Sequence, residues 1–166
     1  MKKLTKRIAP MALAICLMFT TIVGANAAAP IEPRGSAANA VFMRNGTSSY
    51  VMNALTWGTP TNGTDLSLYT KDGSDSQRFY TKDHGLYNAL TASYLVGINT
   101  NDSSAEFIPV GSSSSLWRVD SVASGGGYKF ELPSYGRYLG AYSLAQSNRL
   151  FFKPTTDTSY TTWIFE

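Results

Sequence analysis

The sequence has few of the residues that crosslink small secreted proteins or carry out catalysis. It holds one cysteine, Cys16, and one histidine, His84, among 166 residues. An intramolecular disulfide is therefore excluded, and the domain must be stabilised by burial of apolar side chains. After residue 28 no run of a dozen residues keeps the apolar period of an amphipathic helix, whereas Gly, Ser, Thr, Asn and Asp recur every few residues. This pattern is typical of an all-β fold.

Residues 1–27 have the composition of a secretory signal peptide. Basic residues begin the segment, residues 8–25 are mostly apolar, and residues 25–27 read Ala-Asn-Ala, which matches an A-x-A cleavage site. A membrane anchor is the alternative, but Pro10 leaves the apolar run shorter than the about 20 residues of a spanning helix. We therefore expect a secreted, extracellular product without stable membrane insertion, from which Cys16 has been removed.

Loss of the predicted signal also changes the net charge of the chain. The whole sequence has 14 basic and 11 acidic residues, and four of the basic ones lie in the signal. The remaining 10 basic and 11 acidic residues give a net charge of −1, and the basic side chains are scattered rather than clustered. The charge pattern therefore does not favour a nucleic-acid partner.

The remainder of the chain has the size of one domain. Residues 28–38 contain Pro30, Pro33 and Gly35, which predicts a flexible leader. We expect a single domain over residues 39–166.

The segment from Tyr128 to the end of the chain contains four predicted strands. Tyr128, Phe130 and Leu132 alternate with polar residues, which is the period of a half-buried strand. Pro133 and Gly136 predict the turn that follows. Three further short strands are predicted at 138–139, 150–152 and 163–165.

Two looser copies of this unit come before it. Each copy has a tyrosine on its predicted second strand, 44 residues from the next: Tyr50, Tyr94 and Tyr138. Each copy also closes on an aromatic residue, at intervals of 38 and 46 residues: Phe79, Trp117 and Trp163. A period of about 20–50 residues indicates repeats that share one core. We predict three lobes of four strands each, at about 39–83, 84–125 and 126–166.

The closing elements resemble the Gln-x-Trp element of the ricin-B-like β-trefoil lectins. Here the three elements read Gln77-Arg78-Phe79, Ser115-Leu116-Trp117 and Thr161-Thr162-Trp163. The passage over residues 117–139 is also similar to that family, and the resemblance covers about residues 38–166. It implies an all-β trefoil of three pseudo-repeats and a non-catalytic, carbohydrate-binding function.

The resemblance also implies where sugar-binding residues would lie. In sugar-binding lobes of the family, an aspartate follows the Tyr-Leu-like pair of the second strand, an aromatic residue closes the third strand, and an Asn-Gln pair precedes the closing tryptophan. The aspartate position falls here on Met52, Val96 and Gly140, so every lobe has lost it. The aromatic position is matched by Tyr69 but holds Ile108 and Lys153 in the other lobes.

The first lobe is therefore the least changed of the three. It keeps Tyr69 and Gln77, with Asn53 beside the missing aspartate. Trp57 adds a fourth candidate because it lies in the polar, loop-like stretch 56–64, outside the repeating core pattern. An aromatic face can pack on a sugar ring while short polar side chains bind its hydroxyls.

Several aromatic residues have a second interpretation. Trp57 could instead fold over an edge of the core, and Tyr135 and Tyr142 are weaker candidates for sugar contact. Phe79, Trp117 and Trp163 recur once per repeat at strand ends, so we expect them in the core.

Enzymatic and metal sites receive little support. His84 could act as a base, but it lies in a predicted Lys-Asp-His-Gly turn, and there is no G-x-S-x-G element. Calcium could be bound by one of two groups of oxygen ligands, at 72, 75 and 83 or at 99, 101 and 102. Asp and Asn are also favoured in turns, and no EF-hand loop is present. We predict no enzyme, no metal and no cofactor.

Two kinds of partner remain open. The first is a glycan or polysaccharide, bound by Tyr69, Gln77, Asn53 and Trp57. The alternative is a protein-interaction trefoil, such as a toxin or adhesin subunit or an inhibitor of a secreted enzyme, with a secreted protein as its partner. Loss of the aspartate in all three lobes favours the alternative.

Overall fold

The computed structural model describes residues 33–46 and 48–166, which form short β-strands joined by turns. The strands are β1 (Val41–Asn45), β2 (Tyr50–Ala54), β3 (Leu66–Thr70), β4 (Arg78–Lys82), β5 (Gly85–Asn88), β6 (Tyr94–Ile98), β7 (Ala105–Pro109), β8 (Asp120–Ser124), β9 (Gly127–Leu132), β10 (Arg137–Gly140), β11 (Phe151–Pro154) and β12 (Trp163–Phe165). The helical elements of the described residues are 3₁₀ turns at Ala37–Asn39, Asp75–Gln77, Ser114–Leu116 and Pro133–Tyr135. No helix in this part of the chain is long and apolar enough to cross a membrane. The all-β prediction is confirmed.

The strands form three lobes of four, which confirms the predicted repeat. In each lobe the second and third strands pair as an antiparallel hairpin: β2 with β3, β6 with β7 and β10 with β11. The loop of each hairpin then bonds to the third strand of the following lobe. Gly63 donates to Phe107, Ser103 accepts from Phe152, and Ser147 donates to Leu68. This cyclic contact gives the molecule its pseudo-threefold arrangement.

The larger of two hydrophobic clusters in the described residues lies at the centre of the three hairpins. The third strands each contribute a fully buried apolar residue, at Leu68, Phe107 and Phe152. Phe79 and Trp163 are also fully buried, and the Trp163 Nε1 donates to the Leu139 carbonyl over 3.0 Å. Full burial of each such side chain stabilises the fold by about 1.5–3 kcal/mol. The expectation that these two closing aromatic residues are core residues is correct.

The second lobe closes differently from the other two. A 3₁₀ turn occupies residues 114–116, and β8 begins only at Asp120. Trp117 therefore lies outside any strand and is only half-buried, and its Nε1 donates to the Ser112 carbonyl. It packs against a smaller cluster that includes Leu95 and Ile108. Trp117 thus packs at the margin of a core cluster and not at the end of a strand, which corrects the expectation in part.

The described end of the predicted leader is attached to the domain. Arg34 forms a parallel bridge with Thr81 on β4. The Gly35 N–H donates to the Thr81 carbonyl over 2.9 Å, and the Thr81 N–H donates to Pro33 over 2.8 Å. Residues 33–35 are therefore bonded along β4, so the expectation of a flexible leader does not hold for these three residues. The predicted signal peptide, residues 1–27, lies outside the described residues.

Candidate functional site

A cleft of about 770 Å³ opens on the first lobe. Its walls are the β2–β3 loop, the end of β3, the β3–β4 loop and the tip of the β10–β11 loop of the third lobe. It is lined by Asn53, Leu55, Thr56, Trp57, Gly58, Thr59, Tyr69, Asp72, Ser74, Asp75, Ser76, Leu90 and Ser147. The volume lies within the range of about 300–1,000 Å³ found for small-molecule sites.

Three of the four predicted site residues meet in this cleft. Asn53 comes from β2, Tyr69 from β3 and Trp57 from the loop between them. The hairpin register brings the two strands together, since Asn53 pairs with Ser67 two residues before Tyr69. Because side chains two residues apart lie on one face of a strand, Asn53 and Tyr69 point the same way.

Asn53 is the centre of a small polar network in the cleft. It is 8% exposed, and its Nδ2 donates to the Ala54 carbonyl over 3.0 Å and to Ser67 Oγ over 3.4 Å. Its Oδ1 accepts a hydrogen bond from Ser76 Oγ over 3.2 Å. Ser76 in turn lies 2.8 Å, Oγ to Oγ, from Ser74. The amide is therefore held in one orientation before any ligand arrives.

Gln77, the fourth predicted residue, does not line the cleft. It is fully buried, its Nε2 donates to the Thr70 carbonyl over 2.9 Å, and its Oε1 accepts from the Asp72 N–H over 2.9 Å. Both ends of its amide therefore hold the β3–β4 loop in place. Gln77 positions the wall of the cleft and does not contact the space inside it, which corrects its assignment as a direct ligand contact.

Trp57 is fully exposed, with a relative accessibility of 108%. The alternative in which its ring folds over an edge of the core is therefore excluded. Leu55 and Leu90, which are also exposed, line the same cleft. Neither leucine could be predicted as a site residue from the sequence, because single exposed apolar residues are common on protein surfaces.

Among the described residues, the charged side chains that line the cleft are the carboxylates of Asp72 and Asp75. Asp72 accepts a hydrogen bond from the Ser74 N–H over 2.8 Å, and Asp75 forms an ion pair with Arg78 over 3.3 Å. No lysine, arginine or histidine of the described residues lines this cleft. Nor does any group of three or more His, Cys, Asp or Glu side chains in that part of the chain have the arrangement of a metal site.

The strand pairings correct the alignment of the three lobes. Thr70, Pro109 and Pro154 end the third strands, and they pair with Tyr50, Tyr94 and Arg137. Arg137, and not Tyr138, is therefore equivalent to the two tyrosines.

The shift of one residue changes which positions correspond. Met52, Val96 and Leu139 are equivalent, and all three are fully buried in the core. The residue after each of these is Asn53, Gly97 and Gly140. The resemblance to the lectins placed the missing aspartate at Met52, Val96 and Gly140. The strand pairings instead make Asn53, Gly97 and Gly140 equivalent, so the first lobe has a polar side chain at this position.

In the second lobe the equivalent position is closed by Ile108. A β-carbon placed on Gly97 would lie 2.4 Å from Ile108 Cδ1 and 3.0 Å from the Leu116 carbonyl oxygen. Contacts below 3.0 Å are not tolerated without movement of the neighbour, so no side chain fits at this place while Ile108 stays where it is. Ile108 is 6% exposed and covers the position where the first lobe has an open cleft.

In the third lobe the equivalent position is closed by two features. A β-carbon on Gly140 would lie 2.7 Å from the Tyr160 carbonyl oxygen. Lys153, at the position of Tyr69, is 1% exposed, and its Nζ donates to the Ala141 and Ser159 carbonyls over 2.9 and 2.7 Å. Its ammonium also bonds Asp157 over 3.0 Å, which lowers the pKa of that carboxyl below its ordinary value.

His84 does not line this cleft and lies in the predicted turn. Asp83 and His84 have φ of 47° and 64° and form the two-residue turn between β4 and β5. Positive φ at both central residues is the conformation of a type I′ hairpin. The His84 Nδ1 lies 2.9 Å from an Asp120 carboxylate oxygen. The contact links the ends of β4 and β8, and nothing in it marks a nucleophile.

No known protein-family profile matches this chain, and no curated protein matches it by sequence. Solved structures with the same arrangement of strands do match. The Rhizoctonia solani agglutinin aligns with a TM-score of 0.62 at 20% identity, over 82% of this chain and 98% of that one. The C-terminal half of the earthworm R-type lectin aligns with a TM-score of 0.61 at 12% identity, over 76% and 97%. The fold is a β-trefoil.

The trefoil also occurs inside larger proteins. A mosquitocidal holotoxin aligns with a TM-score of 0.63 at 18% identity, over 76% of this chain. The chain spans 17% of the length of that toxin. The trefoil is thus found both as nearly the whole of a lectin chain and as one part of a toxin.

Proposed function

We propose that this protein is a secreted, non-catalytic carbohydrate-binding protein with one working site, the cleft on the first lobe. A single observation carries the proposal. The polar group of Asn53 and the rings of Tyr69 and Trp57 meet in one open cleft, whereas the equivalent positions in the other lobes are filled by Ile108 and Lys153.

The cleft offers both kinds of contact that a sugar ring requires. Tyr69 and Trp57 present aromatic surface for the apolar face of a pyranose. Asn53 and Ser76 present fixed amide and hydroxyl groups, and Asp72 presents a carboxylate that accepts hydrogen bonds from sugar hydroxyls. Because the orientation of the Asn53 amide is fixed in advance, its ordering costs little when the ligand binds.

The charge of the cleft favours neutral glycans. Among the described residues, the charged groups that line it are the carboxylates of Asp72 and Asp75. Arg78 pairs with Asp75 but does not line the cleft, so an acidic sugar would meet the carboxylates without a basic partner inside it. Like charges within a few ångströms repel, and burial strengthens the repulsion. Sialylated, sulfated and uronic-acid glycans are therefore poor ligands for this site.

The solved lectins support the proposal by analogy. The earthworm R-type lectin was determined in complex with GalNAc, and a Vibrio vulnificus β-trefoil lectin with N-acetyl-D-lactosamine bound. Secretion rests on the predicted signal peptide of residues 1–27.

A protein-interaction trefoil is the second candidate. One observation favours it: Leu55, Trp57 and Leu90 expose apolar surface around the cleft. Exposed apolar patches often mark protein contacts. The cleft would then serve as a docking point for a secreted partner, in the manner of a toxin or adhesin subunit.

A glycan-array screen separates the two candidates. The protein from residue 28 onward is screened beside Tyr69→Ala and Tyr135→Ala, where Tyr135 is a matched exposed tyrosine that does not line the cleft. We expect saturable binding of neutral glycans that Tyr69→Ala removes and Tyr135→Ala keeps. A folded wild-type protein that binds no glycan would shift the assignment to the protein-interaction candidate.

A further inference from the structure

A second, shallower cleft of about 370 Å³ lies beside the first and is built by the third lobe. It is lined by Tyr142, Ser143, Ser147, Asn148, Arg149 and Phe151. Ser147 lines both clefts, so the two surfaces meet at this residue. The residues that close the position around Gly140, which are Lys153 and Tyr160, do not line the second cleft.

The boundary between the clefts is held in a fixed shape. Ser147 has a φ of 66°, in the left-handed region that few non-glycine residues adopt. Its N–H donates to the Leu68 carbonyl over 2.7 Å, and the Leu68 N–H donates to the Asn148 carbonyl over 2.8 Å. These bonds attach the tip of the third-lobe loop to β3 of the first lobe. Backbone hydrogen bonds therefore fix the border that the two clefts share at Ser147.

The second cleft has the same mixture of groups as the first. Tyr142 is 58% exposed and packs against Phe151, with ring centroids 5.2 Å apart. The Lys153 ammonium lies 4.9 Å from the centre of the Tyr142 ring and supports it from the protein side. Asn148 donates to Ser143, which places an amide and a hydroxyl beside the ring.

In the second cleft the one positive charge is offset by neighbouring carboxylates. Arg149 contributes the only cationic side chain along it in the described residues. That guanidinium bonds Asp65 and lies 3.9 Å from Asp102, so two carboxylates offset its charge. Hydrogen bonding to Asp65 is the main cause of the raised pKa of Arg149. Neither cleft therefore presents an unpaired cation to an acidic ligand.

We propose that the Tyr142–Phe151 cleft is a second subsite and that one linear, neutral oligosaccharide occupies both clefts, crossing at Ser147. The inference rests on the proposed function and deepens it, because it assigns an extended glycan chain and not a single terminal sugar as the ligand. The first cleft holds one segment of the chain against Tyr69 and Trp57. The second holds a following segment against Tyr142.

The test is a length series measured by titration calorimetry. The probes are linear neutral oligosaccharides of galactose, glucose, mannose or N-acetylglucosamine, each from monosaccharide to hexasaccharide. Wild type, Tyr142→Ala, Tyr142→Phe and the control Tyr135→Ala are compared. Because Tyr142 is mostly exposed, truncation opens no core cavity, and circular dichroism confirms that each variant is folded.

In at least one series we expect the affinity of wild type to rise about tenfold or more between the shortest binding member and the hexasaccharide. Tyr142→Ala should remove this increase and leave the short members unchanged, whereas Tyr142→Phe and Tyr135→Ala should keep it. Affinity that does not depend on length, or a length effect that survives Tyr142→Ala, overturns the second subsite while the first-lobe site stands. If no member of any series binds, the proposed function fails together with it.

Discussion

Ile108 packs directly over Gly97, and a β-carbon on that glycine would lie 2.4 Å from Ile108 Cδ1. The equivalent pair in the first lobe is Tyr69 and Asn53, which line an open cleft. The two hairpins have the same register, but at these two positions the first lobe has an aromatic ring and an amide where the second has a branched aliphatic side chain and a glycine. These two positions therefore distinguish the open cleft of the first lobe from the closed position of the second.

The contact between Ile108 and Gly97 makes a prediction about stability. Gly97→Ala should lower the free energy of unfolding by about 1–3 kcal/mol, because the added methyl group overpacks the site. Ile108→Ala removes the two closest side-chain atoms, so Gly97→Ala should cost less in that background. Denaturant unfolding of the two single variants and the double variant measures the coupling. Additive effects would mean that Ile108 is not what fills this position.

Lys153 makes a second prediction. Lys153→Met keeps the length of the side chain but leaves the Ala141 and Ser159 carbonyls without their donor. One buried acceptor, at Ala141, and one partly buried acceptor, at Ser159, would then lack partners, which should cost about 1–3 kcal/mol of stability. Lys82→Met, at an exposed lysine, serves as the matched control and should change stability by less than about 0.5 kcal/mol. Equal melting temperatures for the two variants would show that the ammonium does not hold the third lobe together.

Trp163 in the core and Trp57 in the cleft should respond differently to substitution by alanine. Trp163 is fully buried, so Trp163→Ala should cost about 3–5 kcal/mol. Trp57 is fully exposed, so Trp57→Ala should leave the free energy of unfolding within about 0.5 kcal/mol of wild type and weaken glycan binding. Thermal unfolding and titration of both variants check this pairing. A large loss of stability in Trp57→Ala would place its ring against the core after all.

The last residue of the chain gives a pH-dependent contribution. Hydrogen bonding from Arg44, with a further bond from Lys71 at 3.2 Å, lowers the pKa of Glu166 below its ordinary value of 4.5. A lowered pKa stabilises the fold above the unfolded pKa, and this stabilisation is lost as the pH falls through the folded pKa. Glu166→Gln should therefore cost up to about 1 kcal/mol at pH 7, and its effect should disappear in acid. A difference from wild type that is the same at pH 7 and pH 3 would contradict this origin.

Much of the fold follows from the spacing of apolar residues. The alternation of Tyr128, Phe130 and Leu132 predicts β9, and the recurring aromatic residues predict three lobes with a shared core. The register of the third lobe did not follow, because Tyr138-Leu139 imitates the pair at Tyr50 although Arg137 is the equivalent residue. A tyrosine before an apolar residue is too common a pair to fix the pairing of strands to one residue.

The candidate site could be predicted only in part from the sequence. Tyr69 could be predicted because it matches the aromatic position of the lectins that the chain resembles, and Trp57 because it lies in a polar, loop-like stretch outside the repeating core pattern. The inward direction of Gln77 depends on backbone groups five and seven residues away, and the burial of Lys153 depends on carbonyls that the fold brings together. Such partners leave no pattern in the local sequence.

The stoichiometry of glycan binding tests the central claim most directly. A neutral oligosaccharide that binds on the array is titrated calorimetrically into wild type, Tyr69→Ala and Ile108→Ala. One cleft is open and two equivalent positions are closed, so we predict one glycan per chain, binding weakened by about 1–3 kcal/mol in Tyr69→Ala and unchanged affinity in Ile108→Ala. Two or three glycans per chain, or full affinity without the Tyr69 ring, would contradict a single site on the first lobe.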